Sequence, residues 1–395
     1  MRKGICIYIV LSTSFAALMQ LQACKEKYTP VTQDINPNYF VVEGLINMGA
    51  DSTIFTLSRT FKLDNKAVVA PEKAAIVQVE SEAGNTYVLP ELVKSGNYGR
   101  PSLGLDPTKK YRLRIRTKDN KEYLSDFVES KTSPPVKLTH DFKNNNLNIY
   151  STTRDASGRS RYYLYSYVET WQYTAQIWSY WKVVNHQMVR RDFPADDVYN
   201  CWQIVPSGNI VLASTSNLTD DNLADNFIAD YPSSSSKLGI KFSIHVKQTV
   251  LTKEGFDFWQ ALRKNTQQIG SIFDAQPSLL SGNIKSTANL NEVVIGFVSA
   301  GTTTNDRHTL SYTDMPSTWV KPAIDLTGCL ESVKDLIIAR GDVNTFITGP
   351  AKPLYFPIYE IPDGKGGIAG YTASTREECV ECRVQGGVNV KPSYW

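Results

Sequence analysis

The sequence predicts a mainly β protein: an N-terminal immunoglobulin-like β-sandwich followed by a larger β-rich domain with one or two short helices. Three observations lead there. Short runs of β-branched and aromatic residues recur along the chain, separated by turn signals such as Ala83-Gly84-Asn85 and Leu105-Asp106-Pro107. Helical periodicity is persuasive at one place, near 253–268. Aromatic residues make up 11% of the chain and include 21 tyrosines, more than a minimal core needs. At 395 residues the chain is longer than one core usually serves, so two domains are expected.

The chain opens with Arg2 and Lys3, then a mostly apolar run from Ile5 to Met19. A positive start and a short apolar core describe a secretory signal, too short for a spanning helix of about 20 apolar residues. Leu21-Gln22-Ala23-Cys24 resembles a bacterial lipobox, in which the cysteine takes a diacylglycerol and becomes the first mature residue. The expectation is a lipoprotein signal over 1–23 and membrane anchoring through acylated Cys24. An ordinary cleaved signal with an incidental Cys24 is the alternative. Each buried acyl methylene contributes about 0.8 kcal/mol, so several chains anchor stably. Residues 24–38 are rich in Thr, Pro, Asn and charge and read as a flexible tether. Lys25-Glu26-Lys27 resembles the surface-export signals of some Bacteroidota lipoproteins.

The first domain is expected over 39–134. Strand patterns stand at Tyr39–Ile46, Thr53–Ser58, Ala74–Glu80, Thr86–Leu89, Tyr111–Thr117 and Glu122–Val128. Many short strands in about a hundred residues point to an antiparallel sandwich. The period of two is clearest at Tyr111–Thr117, where Tyr111, Leu113 and Ile115 face inward. Arg112, Arg114 and Arg116 form an outer row, read as a solvated sheet face rather than an anion site. Ser133-Pro134-Pro135 marks the boundary.

The second domain is expected over 135–395. Strand patterns appear at Leu147–Ser151 and Arg161–Tyr173, and aromatics crowd the stretch from Tyr162 to Trp202. On a strand Tyr163, Tyr165 and Tyr167 share one face, while Tyr162, Leu164 and Val168 share the other. With both faces apolar or amphipathic, one is core and the other must cover something. Tyr163, Tyr165, Tyr167, Trp171, Trp178, Trp181 and Trp202 are therefore the candidate ligand or partner face, weighed against ordinary core packing. Ser214–Ser236 reads as a polar surface loop with a short helix at 223–228. Its Asp220, Asp221, Asp225 and Asp230 fit no EF-hand spacing. Leu238–Leu251 reads as a long strand. Thr252 can cap the following helix, with Phe258, Trp259, Leu262 and Thr266 as its inner stripe. Further strands are expected at Val293–Ser299 and Tyr355–Ile361, and a second helix across Leu330–Ala339. Asp363-Gly364-Lys365-Gly366-Gly367 lacks phosphate-loop spacing and reads as a turn.

Four cysteines remain after Cys6 and Cys24: Cys201, Cys329, Cys379 and Cys382. An even number in an exported chain argues for two disulfides. A Cys379–Cys382 bond would close a very short loop, where the entropic gain is smallest. The preferred arrangement has each of them reaching separately to Cys201 or Cys329. A four-thiolate zinc site and a Cys-x-x-Cys redox pair are the weaker alternatives, so no metal is expected.

Loss of Arg2 and Lys3 with the signal takes the formal charge from +3 to +1, which offers no electrostatic argument for nucleic acid. Only His140, His186, His245 and His308 could supply imidazole, and none has a partner at metal-ligand spacing. No His-Glu-x-x-His or Gly-x-Ser-x-Gly occurs. Ser234-x-x-Lys237 arises from a serine run. Glu169, Asp192, Asp196 and Asp197 could make a glycosidase pair only if folding brought two together. No catalytic constellation and no cofactor site is expected.

Several motifs occur together in order: Phe40-Val41-Val42-Glu43-Gly44-Leu45-Ile46 with Leu57-Ser58-Arg59-Thr60; Glu254-Gly255-Phe256-Asp257-Phe258-Trp259 on to Gly270-Ser271-Ile272-Phe273-Asp274; Ser281-Gly282-Asn283-Ile284; Cys379-x-x-Cys382-Arg383, Gly386-Gly387 and Lys391-Pro392-Ser393-Tyr394-Trp395. Their order resembles the Bacteroidota outer-membrane lipoproteins grouped as domain of unknown function 4249. The resemblance implies an accessory of TonB-dependent nutrient uptake, with no catalytic residues to transfer. The expectation is thus a non-enzymatic, lipid-anchored, surface-exposed outer-membrane lipoprotein. It would contact the membrane through Cys24, a TonB-dependent receptor as partner, and a small ligand or glycan. A structural or adhesive surface module and a glycan-active hydrolase are the alternatives.

Overall fold

Strand Phe40–Asn47 pairs antiparallel with Thr53–Arg59, from Phe40 opposite Arg59 to Leu45 opposite Ile54. The structure is a computed structural model that describes residues 38–60, 70–185, 187–267, 282–321, 327–337 and 355–395. Cys24, the signal segment and nearly all of the tether lie outside those residues, as do His186 and the 270–274 motif. A second sheet stacks Thr86–Leu89, Ile76–Ser81, Tyr111–Arg116 and Glu122–Ser125 in that order. The period of two holds: Tyr111, Leu113 and Ile115 are buried with Val77 and Val79. Outside, Arg112 and Arg114 share Glu80 at 2.7 and 3.1 Å, and Arg114 also reaches Glu122 at 2.6 Å. Arg112 and Arg114 are thus neutralised across their own sheet, while Arg116 is exposed.

The 39–134 boundary needs correction. Ile284–Ser286 extends the second sheet beside Glu122–Ser125, and Val294–Ile295 and Ser299–Gly301 run parallel to Phe40–Asn47 in the first. Ile284, Val294, Val298 and Ala300 join the same core as Phe40 and Leu113. Parallel neighbours require a long crossover, and here it takes in the intervening strands of the first sandwich and every strand of the second except Thr303–Ser311, which follows the return. Gly296 permits the return, because a Cβ there would stand 2.2 Å from the Val42 carbonyl oxygen.

That second sandwich sets Val136–Lys143, Asn146–Arg154 and Asn222–Pro232 against a five-stranded sheet. The larger sheet runs Asn200–Pro206, Tyr162–Thr174, Lys241–Val250, Thr303–Ser311, with Val211–Ser214 on the other half of Tyr162–Thr174. Asn144 and Asn145, at φ 53° and 61°, form the two-residue turn that joins the first pair, a geometry Asn tolerates. The loop-and-helix expectation for 214–236 is corrected: Asn222–Pro232 is a bulged strand, and its polar residues lie on an outer edge. The helix Lys253–Gln267 follows, with the Thr252 hydroxyl accepting from Gly255 N at 3.2 Å. Phe258 is its buried anchor against Phe297; Thr266 is exposed and donates back to Leu262 O.

A third layer is built from the hairpin Trp181–Val184/Gln187–Arg190 and the sheet Val333–Ile337, Ile368–Ser374, Phe356–Pro362. The helix expected across Leu330–Ala339 is corrected to one helical turn, Thr327–Leu330, and then a strand. The stretch Val333–Ile337 finds pairing partners along Ile368–Ser374, which overrides its weak helical pattern. Disulfides join Cys201 to Cys382 and Cys329 to Cys379.

Candidate functional site

The strand Tyr162–Thr174 is longer than the core it covers, and its last residues run past the second sandwich. Gln172, Tyr173 and Thr174 pair there with Trp202, Cys201 and Asn200. Beside this pairing lies a cleft of about 660 Å³. Trp171, Tyr173 and Tyr199 supply its aromatic surface; Gln172, Gln176, Asn200, Gln203 and Gln385 supply side-chain amides; Ser236, Gly239, Ile240 and Lys321 complete the rim. No Asp or Glu is among these lining residues.

Each aromatic is held in place. The Lys237 ammonium sits 4.9 Å from the Trp171 ring centroid and bonds Glu169 at 2.6 Å. The other Glu169 oxygen accepts from Tyr231 at 2.6 Å. Burial, and then Glu169, push the Tyr231 phenol far above its ordinary pKa, so it remains a donor. Tyr173 donates to the Cys382 carbonyl at 2.8 Å and accepts from Gly387 N at 3.1 Å. Tyr199 packs on Trp178, ring centroids 4.6 Å apart.

The amides are ordered as a chain. Trp395 Nε1 donates to Gln172 Oε1 at 3.4 Å, Gln172 Nε2 to Asn200 Oδ1 at 3.3 Å, and Asn200 Nδ2 to Asp197 Oδ2 at 2.9 Å. Each carbonyl therefore has one assigned donor, and each NH2 keeps a second hydrogen. Gln176 Oε1 is buried and finds no hydrogen-bond partner among the described residues. A buried amide oxygen without a partner costs about 1–3 kcal/mol and signals a missing group.

Of the seven residues expected to form one face, Trp171 alone lines the cleft. Tyr163, Tyr165 and Tyr167 are corrected to core: they are 0%, 0% and 5% exposed, in the cluster with Phe242 and Val246. Their hydroxyls are satisfied inside, Tyr163 by Asp221 at 2.8 Å and Tyr165 by Gln248 at 3.0 Å. Trp178 backs Tyr199, Trp181 packs edge-on against Tyr371, and Trp202 is 7% exposed and bridged to Val388. Sequence reading missed Tyr199 and the amides, because Gln and Asn carry no motif. The strand alternation through Trp171 and Tyr173 was the available signal.

Three of the four acids named for a glycosidase pair, Glu169, Asp196 and Asp197, are engaged elsewhere. Glu169 holds Lys237 and Tyr231, Asp196 holds Lys182 at 2.6 Å, and Asp197 accepts from Tyr199 N and Asn200 N. Asp221 is buried, bonded to Thr215, Tyr163 and Ser160 N. Folding does bring two histidines together, which spacing had not shown: His308 Nε2 lies 2.8 Å from His140 Nδ1. Among the described residues no group of three or more His, Cys, Asp or Glu could hold a metal.

Residues 25–307 match the model of a domain of unknown function, DUF4249. The chain belongs to that family. The DUF4249 stretch spans the first sandwich and nearly all of the second, ending within strand Thr303–Ser311. Lys321 and Gln385, which line the cleft, and Cys382, which holds Tyr173, lie beyond it. No curated protein matches the sequence. Among solved structures, a two fibronectin type-III domain segment from chicken tenascin is similar over 54% of this chain and 91% of its own, at 14% identity. Its TM-score of 0.16 is too low to carry an argument.

Proposed function

We propose that this DUF4249 protein is a non-enzymatic lipoprotein, anchored in the outer membrane by acylated Cys24 and displayed at the cell surface. There it captures a ligand for a TonB-dependent uptake receptor. The observation that carries the binding role is the cleft: ordered aromatics and amides around a buried, unpartnered Gln176 Oε1, with no carboxylate in the lining. Such a lining orients a molecule and offers no carboxylate pair for glycoside cleavage. The address rests on the signal, the lipobox and a family match that begins directly after Cys24. The receptor rests on the family resemblance.

Mild-detergent purification of the full protein tests the role. A stoichiometric outer-membrane barrel among the co-purifying proteins is the expected result. Its repeated absence, with the protein still membrane-bound, favours a structural or adhesive module instead. Hydrolysis of a glycan would restore the enzyme reading.

A further inference from the structure

We infer that the cleft takes a neutral polyhydroxylated ligand, a saccharide, whose ring packs on the Trp171/Tyr199 surface while its hydroxyls bond the ordered amides. This rests on the reading above that the cleft is the ligand site, and it names the ligand class.

The inference follows from what the lining can and cannot satisfy. An anionic ligand would meet one cation, Lys321, whose ammonium already sits 5.5 Å from the Tyr312 ring centroid. A cationic ligand would meet no lining carboxylate. A wholly apolar ligand would strip water from Gln172, Gln176, Asn200, Gln203 and Gln385 and return no hydrogen bonds, at a cost of about 1–3 kcal/mol for each amide left unpaired. A sugar matches both halves of the lining. Its C–H faces pack on aromatic rings, and its hydroxyls donate and accept in turn.

The amide geometry makes the match specific. The chain from Trp395 through Gln172 and Asn200 to Asp197 fixes which end of each amide is oxygen. The spare amide hydrogens of Gln172 and Asn200 can then donate to hydroxyl oxygens. Gln176 Oε1 is buried without a partner in a side chain that lines the cleft, so a turn of that side chain would let the oxygen accept from a hydroxyl. The volume, about 660 Å³, lies within the roughly 300–1,000 Å³ of small-molecule sites. Trp171 and Tyr173 are pinned before any ligand arrives, which limits the entropy lost on binding.

The test is calorimetric titration of the full mature protein in detergent. The neutral probes are maltohexaose, cellohexaose, xylohexaose and mannohexaose, with hexagalacturonate as the charged control. At least one neutral hexasaccharide is expected to bind, with affinity unchanged between 50 and 500 mM salt. Trp171→Ala and Gln176→Leu are each expected to weaken it at least fivefold, while Thr266→Ala, on the exposed helix face, leaves it unchanged. Gln176→Leu guards against misfolding, since it replaces an unsatisfied amide by an apolar group of similar size. The inference is overturned if no neutral probe binds the folded protein, if hexagalacturonate alone binds with steep salt dependence, or if both substitutions leave affinity intact. A co-purifying barrel without saccharide binding would leave the uptake role standing and remove this ligand class. Saccharide binding without a barrel would do the reverse.

Discussion

Cys201 and Cys382 are joined across 181 residues of sequence, and the Cys382 carbonyl accepts the hydroxyl of Tyr173 in the cleft wall. The bond therefore holds the C-terminal segment, with Gln385, against the strand that carries Trp171. In the chain-entropy picture a loop of this length is worth about 5 kcal/mol, and measured disulfides usually give about 2–4. A Cys201→Ser/Cys382→Ser double variant is expected to lose about 2–5 kcal/mol of stability and to expose the C-terminal segment to limited proteolysis. The mature wild-type protein, denatured without reduction, should show no reactive thiol among the four paired cysteines. Unchanged proteolysis in the double variant would mean that the tail docks without the bridge.

Much of this was legible in the sequence, and the boundary of legibility has physical causes. Tyr111–Arg116 was readable because one face is core and the other is an arginine row, of which Arg112 and Arg114 pair with Glu80 and Glu122. Excluding a short Cys379–Cys382 loop left two pairings, and the fold selects Cys201–Cys382 with Cys329–Cys379. The three tyrosines of Tyr162–Thr174 misled because a core tyrosine and a surface tyrosine look alike until Asp221 and Gln248, 58 and 83 residues away, satisfy their hydroxyls. Asn222–Pro232 was hidden by its polar outer edge. A strand was readable at Val293–Ser299, but its pairing with Phe40–Asn47, far earlier in the chain, leaves no local signal, so the discontinuous first sandwich could not be read from local pattern. The cleft was half visible: its aromatics stood out, whereas its amides belong to no motif.

Asp221 should be among the least tolerant polar positions. It is 3% exposed and accepts from Tyr163, Thr215 and the Ser160 amide. Asp221→Ala leaves three buried donors unpaired, for an expected loss of about 3 kcal/mol or more. Chemical denaturation measures it. A loss under about 1 kcal/mol would show that water enters and replaces the carboxylate.

The His140–His308 contact ties the edges of the two sheets of the second sandwich. Burial, and then His140, lower the His308 pKa, with Asp306 opposing; Phe142 and Trp319 pack beside the pair. The unfolded chain therefore binds more protons than the folded one below pH about 6.5, and stability rises with pH in that window. The contribution is complete above about 6.5 and is lost as pH falls toward the folded value. Urea midpoints at pH 7.5 and 5.0 should differ in the wild type, and His308→Gln should reduce the difference. An equal difference in the variant would assign the slope to other groups.

Anchoring can be checked independently of any ligand. Cys24→Ala should abolish palmitate labelling and release the protein from membranes, because no other acyl site anchors the chain in this reading. Retention in the membrane fraction without label would point to a different attachment.

Gly387 gives the sharpest test of the cleft wall. A Cβ there would stand 2.3 Å from the Tyr173 hydroxyl and 2.9 Å from the Trp202 carbonyl oxygen. Gly387→Ala must therefore push Tyr173 away from its bond to Cys382 or pull the tail off the Trp202–Val388 bridge. Either route is expected to cost about 1–3 kcal/mol. The two are separable by a double-mutant cycle with Tyr173→Phe, which removes the 2.3 Å hydroxyl clash and leaves the ring Cε1 and the Trp202 oxygen, each at 2.9 Å. If displacement of Tyr173 dominates, the cycle shows favourable coupling of about 0.5 kcal/mol or more. If the effects simply add, the backbone of the tail has moved, and the wall is set by Trp202 and Val388 rather than by Tyr173. Gly386, at φ +90°, is the control: alanine there meets only backbone strain, of about 1–3 kcal/mol, and should not couple to Tyr173.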